Sequence, residues 1–278
     1  MFSRTSNRFL SIALSVFILG IIAVGLPNTR PAGAAVGLVG RWSFEGSITD
    51  LSGNSNNGQT MGTATYGSGK TGNGLVLDGT SNTFAQVASS TSLNSPTTAM
   101  TVSMWVKSTA SNSWNALVSR QEGTGSSDQF TLMTSGTQVG QYLNTTANGN
   151  QGLFGGTITQ NMWTHVATTF DGTTLRVYVN GAQVNTAARS GTIVATSNPL
   201  IIGGNANDGI PNTAQDLFTG VIDDLCIYNR ALTPTELASG NDCTDTPTTT
   251  TTASPTTTTT TPLCHCGGCR LLRDSYCE

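Results

Sequence analysis

The chain has 278 residues, a net charge of −3 and only 10% charged side chains, against about 25% in ordinary globular domains. Gly, Ser, Thr and Asn fill the deficit, which gives a polar but mostly uncharged surface and excludes the basic footprint of a nucleic-acid binder. Such a surface suits an extracellular β-protein with many turns, and neutral sugar ligands, which are recognised through hydroxyl and amide hydrogen bonds.

In chain order, Arg4 and Arg8 precede an apolar run from Phe9 to Leu26, and Ala32-Gly33-Ala34 supplies a small-x-small cleavage site. The pattern predicts a secretory signal over residues 1–34 and a mature chain that begins at Ala35. An uncleaved membrane anchor is the alternative, because the run lies at the short edge of what crosses about 30 Å of hydrocarbon. No other contact with a membrane is expected. Without residues 1–34 the chain keeps 9 basic and 15 acidic residues, a net charge of −6.

From 35 to 241, short β-branched or aromatic runs alternate with Gly, Asn, Asp and Ser clusters, so this stretch reads as one all-β domain. Met100, Val102, Met104 and Val106 alternate with Thr101, Ser103, Trp105 and Lys107, which predicts a strand with one inward face. Asp171-Gly172 and Asn180-Gly181 carry hairpin-turn chemistry and predict a meander with Leu175, Val177 and Val179 on one face and Arg176 and Tyr178 on the other. Val221 to Tyr228 forms a further strand. Strand count and pattern admit either a sandwich or a barrel. Residues 242–262 are nearly all Thr and Pro and cannot bury a core, so they read as an extended linker, a stalk for O-glycans in a host that adds them. Residues 263–278 form a short tail with four cysteines.

Several motifs in order resemble the LamG-like, or concanavalin A-like lectin/glucanase, jelly-roll family. They are Gly37 to Glu45 followed by Asp50-Leu51-Ser52-Gly53-Asn54, then Gly72 to Gly79, Met100 to Lys107, Trp163 to Ala167 with the two turns after it, and Phe218 to Leu232. The resemblance covers nearly all of Val36 to Leu237 and implies a two-sheet antiparallel jelly-roll sandwich. It does not imply an activity, because one fold hosts many.

The acids that recur in these motifs are Asp50, Asp78, Asp223 and Asp224. The family commonly carries a structural Ca2+ where the first and last strands meet, and the resemblance places Asp50 and one of Asp223 and Asp224 there. Neighbouring strand residues point opposite ways, which favours one of the pair, Asp224. Asn54, carbonyls of the Gly53–Gly58 loop and Glu45 are further candidate ligands for a hard cation that takes about six to eight oxygens. The competing reading is that Asp50 and Asp78 cap turns.

Catalysis is not expected. Glycosidases of this fold mount their acids on one strand as E-x-D-x-E, which this chain lacks, and Glu45, Glu122 and Glu236 stand apart. His165 lies mid-strand with no second histidine before His265 in the tail, so neither a catalytic triad nor a multi-histidine zinc site is available to the domain. Sugar binding instead asks for an aromatic platform. Trp114, Tyr142 and Phe154 lie in polar, Gly/Asn-rich stretches and are the candidates, with core or loop packing as the alternative; Trp42, Trp105 and Trp163 read as core. Asn144-Thr145-Thr146 is an N-glycosylation sequon.

Export implies an oxidising compartment and hence disulfides. Cys226 and Cys243 bracket the end of the domain and are expected to pair. Cys264, Cys266, Cys269 and Cys277 are expected to form two further disulfides, or with His265 to bind zinc. The function these features point to is a secreted or surface-displayed module that binds a glycan or glycoprotein. The alternatives are an adhesive cell-envelope protein that binds protein partners, and a divergent glycoside hydrolase.

Overall fold

The computed structural model describes residues 35–80, 82–110, 114–121, 127–206, 214–240 and 242–243. The signal segment, the body of the Thr/Pro stretch, and Cys264, Cys266, Cys269 and Cys277 lie outside the described residues. In chain order the strands are β1 (Leu38–Trp42), β2 (Gly58–Met61), β3 (Thr65–Ser68), β4 (Asn73–Asp78), β5 (Phe84–Val87), β6 (Met100–Ser108), β7 (Trp114–Gln121), β8 (Asp128–Ser135) and β9 (Gln138–Thr145). They continue as β10 (Gly149–Gly155), β11 (Thr164–Phe170), β12 (Thr174–Val179), β13 (Ala182–Ala188), β14 (Leu200–Ile202), β15 (Asn205–Ala206), β16 (Ala214–Gln215) and β17 (Thr219–Tyr228), followed by a short helix, α1 (Pro234–Leu237).

Two antiparallel sheets face each other in a jelly-roll sandwich. The first runs β13-β12-β11-β6-β17-β4-β3 with β1 also on β17; the second runs β10-β9-β8-β7-β14-β5-β2. The alternation along β6 holds, since Met100, Val102, Met104 and Val106 enter the core between the sheets with Trp42, Leu175, Val177 and Ile222. Asn180 and Gly181 take φ values of 49° and 78°, which makes the two-residue turn that joins β12 to β13.

Part of the outer face of the first sheet is buried as well. Beyond Tyr228 the chain turns back across it, so Leu232, Leu237 and Cys243 pack with Ala167, Tyr178, Cys226 and Tyr228 in a second apolar cluster. This strap is held at several points. Thr101 Oγ1 donates to the Arg230 carbonyl at 2.7 Å and accepts from Leu232 N–H at 2.9 Å. Trp105 Nε1 donates to the Gly240 carbonyl at 2.9 Å, and Tyr228 Oη donates to the Asp242 carbonyl at 2.5 Å. A capping box between Thr233 and Glu236 starts α1, and Arg230 pairs with Glu236 at 2.6 Å. The Cys226–Cys243 disulfide closes the strap, with Cα atoms 5.7 Å apart. The folded body therefore continues through Asp242 and Cys243, which composition alone groups with the Thr/Pro stretch. Trp105 lies under this strap on the outer face rather than in the core between the sheets, with the Lys70 ammonium 4.3 Å from its ring centre.

Candidate functional site

The three candidate sugar-contacting aromatics come from three different strands and meet on the outer face of the second sheet. The Trp114, Tyr142 and Phe154 ring centres are 6.4, 6.0 and 5.6 Å apart, and Phe154 meets both partners edge to face, the arrangement ring quadrupoles favour. Trp114 is 44% exposed, one of few large apolar side chains on this surface, while Tyr142 and Phe154 are half-buried.

Register explains the meeting. Tyr142 stands opposite Thr131 of β8 and Gly152 of β10, and Phe154 stands opposite Gly140 of β9. Both glycines are required by the rings. A Cβ on Gly140 would lie 2.6 Å from Phe154 Cδ1, and one on Gly152 would lie 2.9 Å from Tyr142 Cε1. Met133, opposite Gly140 and Ala116, is buried under the cluster and outside the main core. Sequence reading missed Gly140, Gly152 and Met133. The available signal was glycine inside a strand, which marks close approach of a neighbour.

The same face carries unsatisfied polar groups. Thr131 Oγ1 and Asn150 Oδ1 are buried and have no hydrogen-bond partner among the described residues. Buried polar atoms are nearly always satisfied, so these two are exceptions on this face. The β15–β16 hairpin bounds the platform on its other side. Ser119 Oγ donates to the Gly204 carbonyl at 2.9 Å, and the Asp216 carbonyl takes the Ala116 N–H at 2.7 Å, two residues from Trp114.

The four acids named for Ca2+ do not assemble one site, and among the described residues no group of three His, Cys, Asp or Glu side chains stands ready for a metal. Asp50 accepts Arg41 N–H at 3.0 Å, and Ser52 N–H, Ser52 Oγ and Asn56 N–H at 2.8 Å each. Those donors point hydrogens where a cation would sit, so the carboxylate organises its loop and does not fit a calcium shell. Asn54 fastens the same loop to β1, its Nδ2 donating to the Leu38 and Val39 carbonyls at 3.0 and 2.9 Å. Asp78 accepts the Thr80 N–H and the Thr63 and Thr80 hydroxyls, which hold its carboxyl well below the usual range. Glu45 Oε2 accepts Asn73 N–H at 3.0 Å.

Asp223 accepts Lys70 N–H and Asp224 N–H at 2.8 Å and Thr71 N–H at 3.1 Å, which pins the β3–β4 turn to β17. Asp224 sits at φ 45° where the register slips between Asp223 and Cys226, so the simple strand alternation that favoured it as a ligand does not apply. Burial pushes both carboxyls up, that of Asp223 to about 6.

Asp50→Ala is expected to cost about 3 kcal/mol by leaving buried N–H groups unpaired, while EDTA leaves the wild-type melting temperature unchanged; a chelator-induced drop would restore the calcium reading. Because the folded pKa of Asp223 lies above its ordinary 3.8, its favourable contribution is complete below pH about 4 and is lost as pH rises through about 6. The melting temperature of wild type relative to Asp223→Asn should therefore fall from pH 4 to pH 7, and a constant difference would refute the assignment.

His165 is buried beside Trp105, with Ser103 Oγ and Asp242 Oδ1 each 2.9 Å from the same nitrogen, Nε2. A relay needs the hydroxyl and the acid on opposite nitrogens, and Nδ1 has no partner among the described residues. The group ties the strap to the sheet. Asn144 of the sequon is buried on β9, where an oligosaccharide cannot be attached without unfolding the strand.

A family model described as the concanavalin A-like lectin/glucanases superfamily matches residues 78–238. No curated protein matches the sequence. Among solved structures, domain 4 of AbnA, a GH43 extracellular arabinanase from Geobacillus stearothermophilus solved with arabinotriose, aligns with TM-score 0.58 and 22% identity over 74% of this chain and 98% of that one. The binding domain of Paraclostridial Mosquitocidal Protein 1 aligns with TM-score 0.59 and 20% identity, covering 73% of this chain and 51% of the other. A Ruminococcus gnavus IT-sialidase CBM40 bound to α2,3-sialyllactose aligns with TM-score 0.50 and 20% identity, over 60% and 95% of the respective chains. At these identities the likeness establishes the fold.

Proposed function

The chain belongs to the concanavalin A-like lectin/glucanases superfamily, and from that premise we propose that it is a non-catalytic glycan-binding module displayed outside the cell. The observation that carries this reading is the convergence of Trp114, Tyr142 and Phe154 on one outer sheet face. The apolar face of a sugar ring packs on such rings while its hydroxyls meet amide and hydroxyl groups. Solved relatives of the fold that carry arabinotriose and sialyllactose support a carbohydrate as the ligand class.

Display outside the cell is supported by the signal-like N-terminus, the Cys226–Cys243 disulfide and the Thr/Pro stretch. Geometry supports it too. The chain leaves the described body at Cys243 on the outer face of the first sheet, so a tether beyond that point leaves the aromatic face of the second sheet pointing away.

The test is a glycan array probed with the secreted full chain, alongside Trp114→Ala. Binding of a defined glycan class by wild type and its loss in the variant are expected. A folded chain that binds no glycan, but captures a cell-surface protein equally well with and without Trp114, would replace this reading with protein-mediated adhesion.

A further inference from the structure

The charge around the aromatic platform narrows the ligand class, an inference that rests on the glycan-binding reading. Arg120 is the only Lys or Arg on any strand of the second sheet, and it is not available to a ligand on the outer face. It is buried, with its guanidinium given to the Leu93 and Asn198 carbonyls at 2.7 and 3.0 Å and to Ser89 and Asn94 at 2.8 and 2.6 Å.

Arg189 approaches from the edge, where β10 ends the sheet. Its terminal nitrogens donate to the Ala188 and Gly152 carbonyls at 2.9 and 3.2 Å and fasten that edge, while its Nε has no partner among the described residues. The other described bases, Arg41, Lys70, Lys107, Arg176 and Arg230, belong to the first sheet or the strap across it. Residues 111–113, 122–126 and 207–213 add no Lys or Arg in sequence.

An acid, Asp216, stands on the β15–β16 side of the platform, its backbone joined to β7 two residues from Trp114. Asp216 is exposed, holds a left-handed φ of 49°, and is fixed beside β7 by its own carbonyl on Ala116 N–H. No described residue donates to its carboxylate. A non-glycine residue in that backbone region carries a conformational cost that the fold here sustains next to its exposed tryptophan. A carboxylate without donors accepts strongly from hydroxyls and repels a second carboxylate across a few ångströms.

We infer that the platform formed by Trp114, Tyr142 and Phe154 takes uncharged sugars and discriminates against sialylated or uronic-acid glycans, with Asp216 as the specificity-determining residue. The rings supply the stacking surface common to both classes. The carboxylate rewards hydroxyls and penalises a negative charge at the Trp114 side of the platform, while the Arg189 guanidinium stays at the opposite, β10 edge, bound to two carbonyls.

The experiment uses the full chain and pairs each neutral oligosaccharide that binds on the array with its sialylated or uronate counterpart, titrated at 20 mM and 500 mM salt. The neutral member is expected to bind at least tenfold tighter at low salt. The ratio should shrink at high salt, because the screening length falls from about 20 Å to about 4 Å. It should also shrink at least threefold in Asp216→Asn, whatever the change in absolute affinity. An acidic glycan that binds as tightly as its neutral parent, or a ratio untouched by both salt and Asp216→Asn, overturns the inference while leaving glycan binding intact. An array with no binder at all, and no effect of Trp114→Ala, overturns the underlying reading instead. The salt series needs no variant, so a misfolded Asp216→Asn would still leave the inference decided.

Discussion

Replacing Trp114 by Ala should weaken glycan binding by roughly 30-fold, the loss of about 2 kcal/mol typical of an aromatic anchor at a recognition surface. The melting temperature should move by no more than a degree or two, because the indole is 44% exposed and lies outside both apolar clusters. Isothermal titration against the best glycan, with a melting curve of the same sample, checks both halves. Gly152→Ala supplies an independent arm. Its added Cβ would press on Tyr142 Cε1 from 2.9 Å and on Phe154 Cε2 from 3.1 Å, so the rings must shift although no ligand-contacting atom has been removed. Binding should fall at least threefold in this variant as well. If both variants bind as wild type does, the platform is packing and the ligand sits elsewhere.

The second large effect concerns the strap. Cys243→Ser should cost about 3 kcal/mol by releasing the loop constraint, for a bridge whose ends are 17 residues apart. In a domain of this size that is a fall of roughly 6–12 °C in melting temperature. The loss should carry local consequences as well, since the strap covers Tyr178, Cys226 and Tyr228 and holds Asp242 against His165. Amide exchange should quicken first in residues 232–243 and on the outward positions of β6, β11 and β17. Glycan affinity should be unchanged below the new melting temperature, because the platform lies on the other sheet. A loss of affinity that tracks reduction of the disulfide would show that the two faces are coupled. A strap that exchanges no faster without the bridge would show that its other contacts suffice.

How much of this was legible beforehand depends on which interactions decided each part. The sandwich itself is local pattern. Period-two alternation along β6 and β12 set which side chains enter the core, because successive strand residues point to opposite faces. The Asn180-Gly181 turn could be read because few residues other than Asn and Gly accept two successive positive φ values. The Cys226–Cys243 pairing was also legible, because the two cysteines bracket one short segment.

Composition along the chain predicted an aromatic platform, but only as three separate candidates. Trp114, Tyr142 and Phe154 are brought together by the registers of β7 on β8, β8 on β9 and β9 on β10, which depend on a bulge after Ala116 and on two glycines that leave space for rings. No single-strand pattern contains that information. The acids went the other way. Asp50 and Asp223 belong to motifs that suggested a shared cation, yet the nearest donors to each are N–H groups of its own loop or of a turn far along the chain. A motif states which residue types are present, while the direction of neighbouring N–H groups is set by how loops close.

Local pattern is enough for an all-β chain with one inward face per strand, its principal turns, and the pairing of Cys226 with Cys243, since all of these are decided by neighbours within a few residues or by proximity along the chain. Long-range packing settles that part of the outer face of the first sheet is buried under a returning strap, that three distant rings share one surface, and that the motif acids hold loops together. Those outcomes depend on strand register and loop closure between residues tens of positions apart, where no local preference reaches.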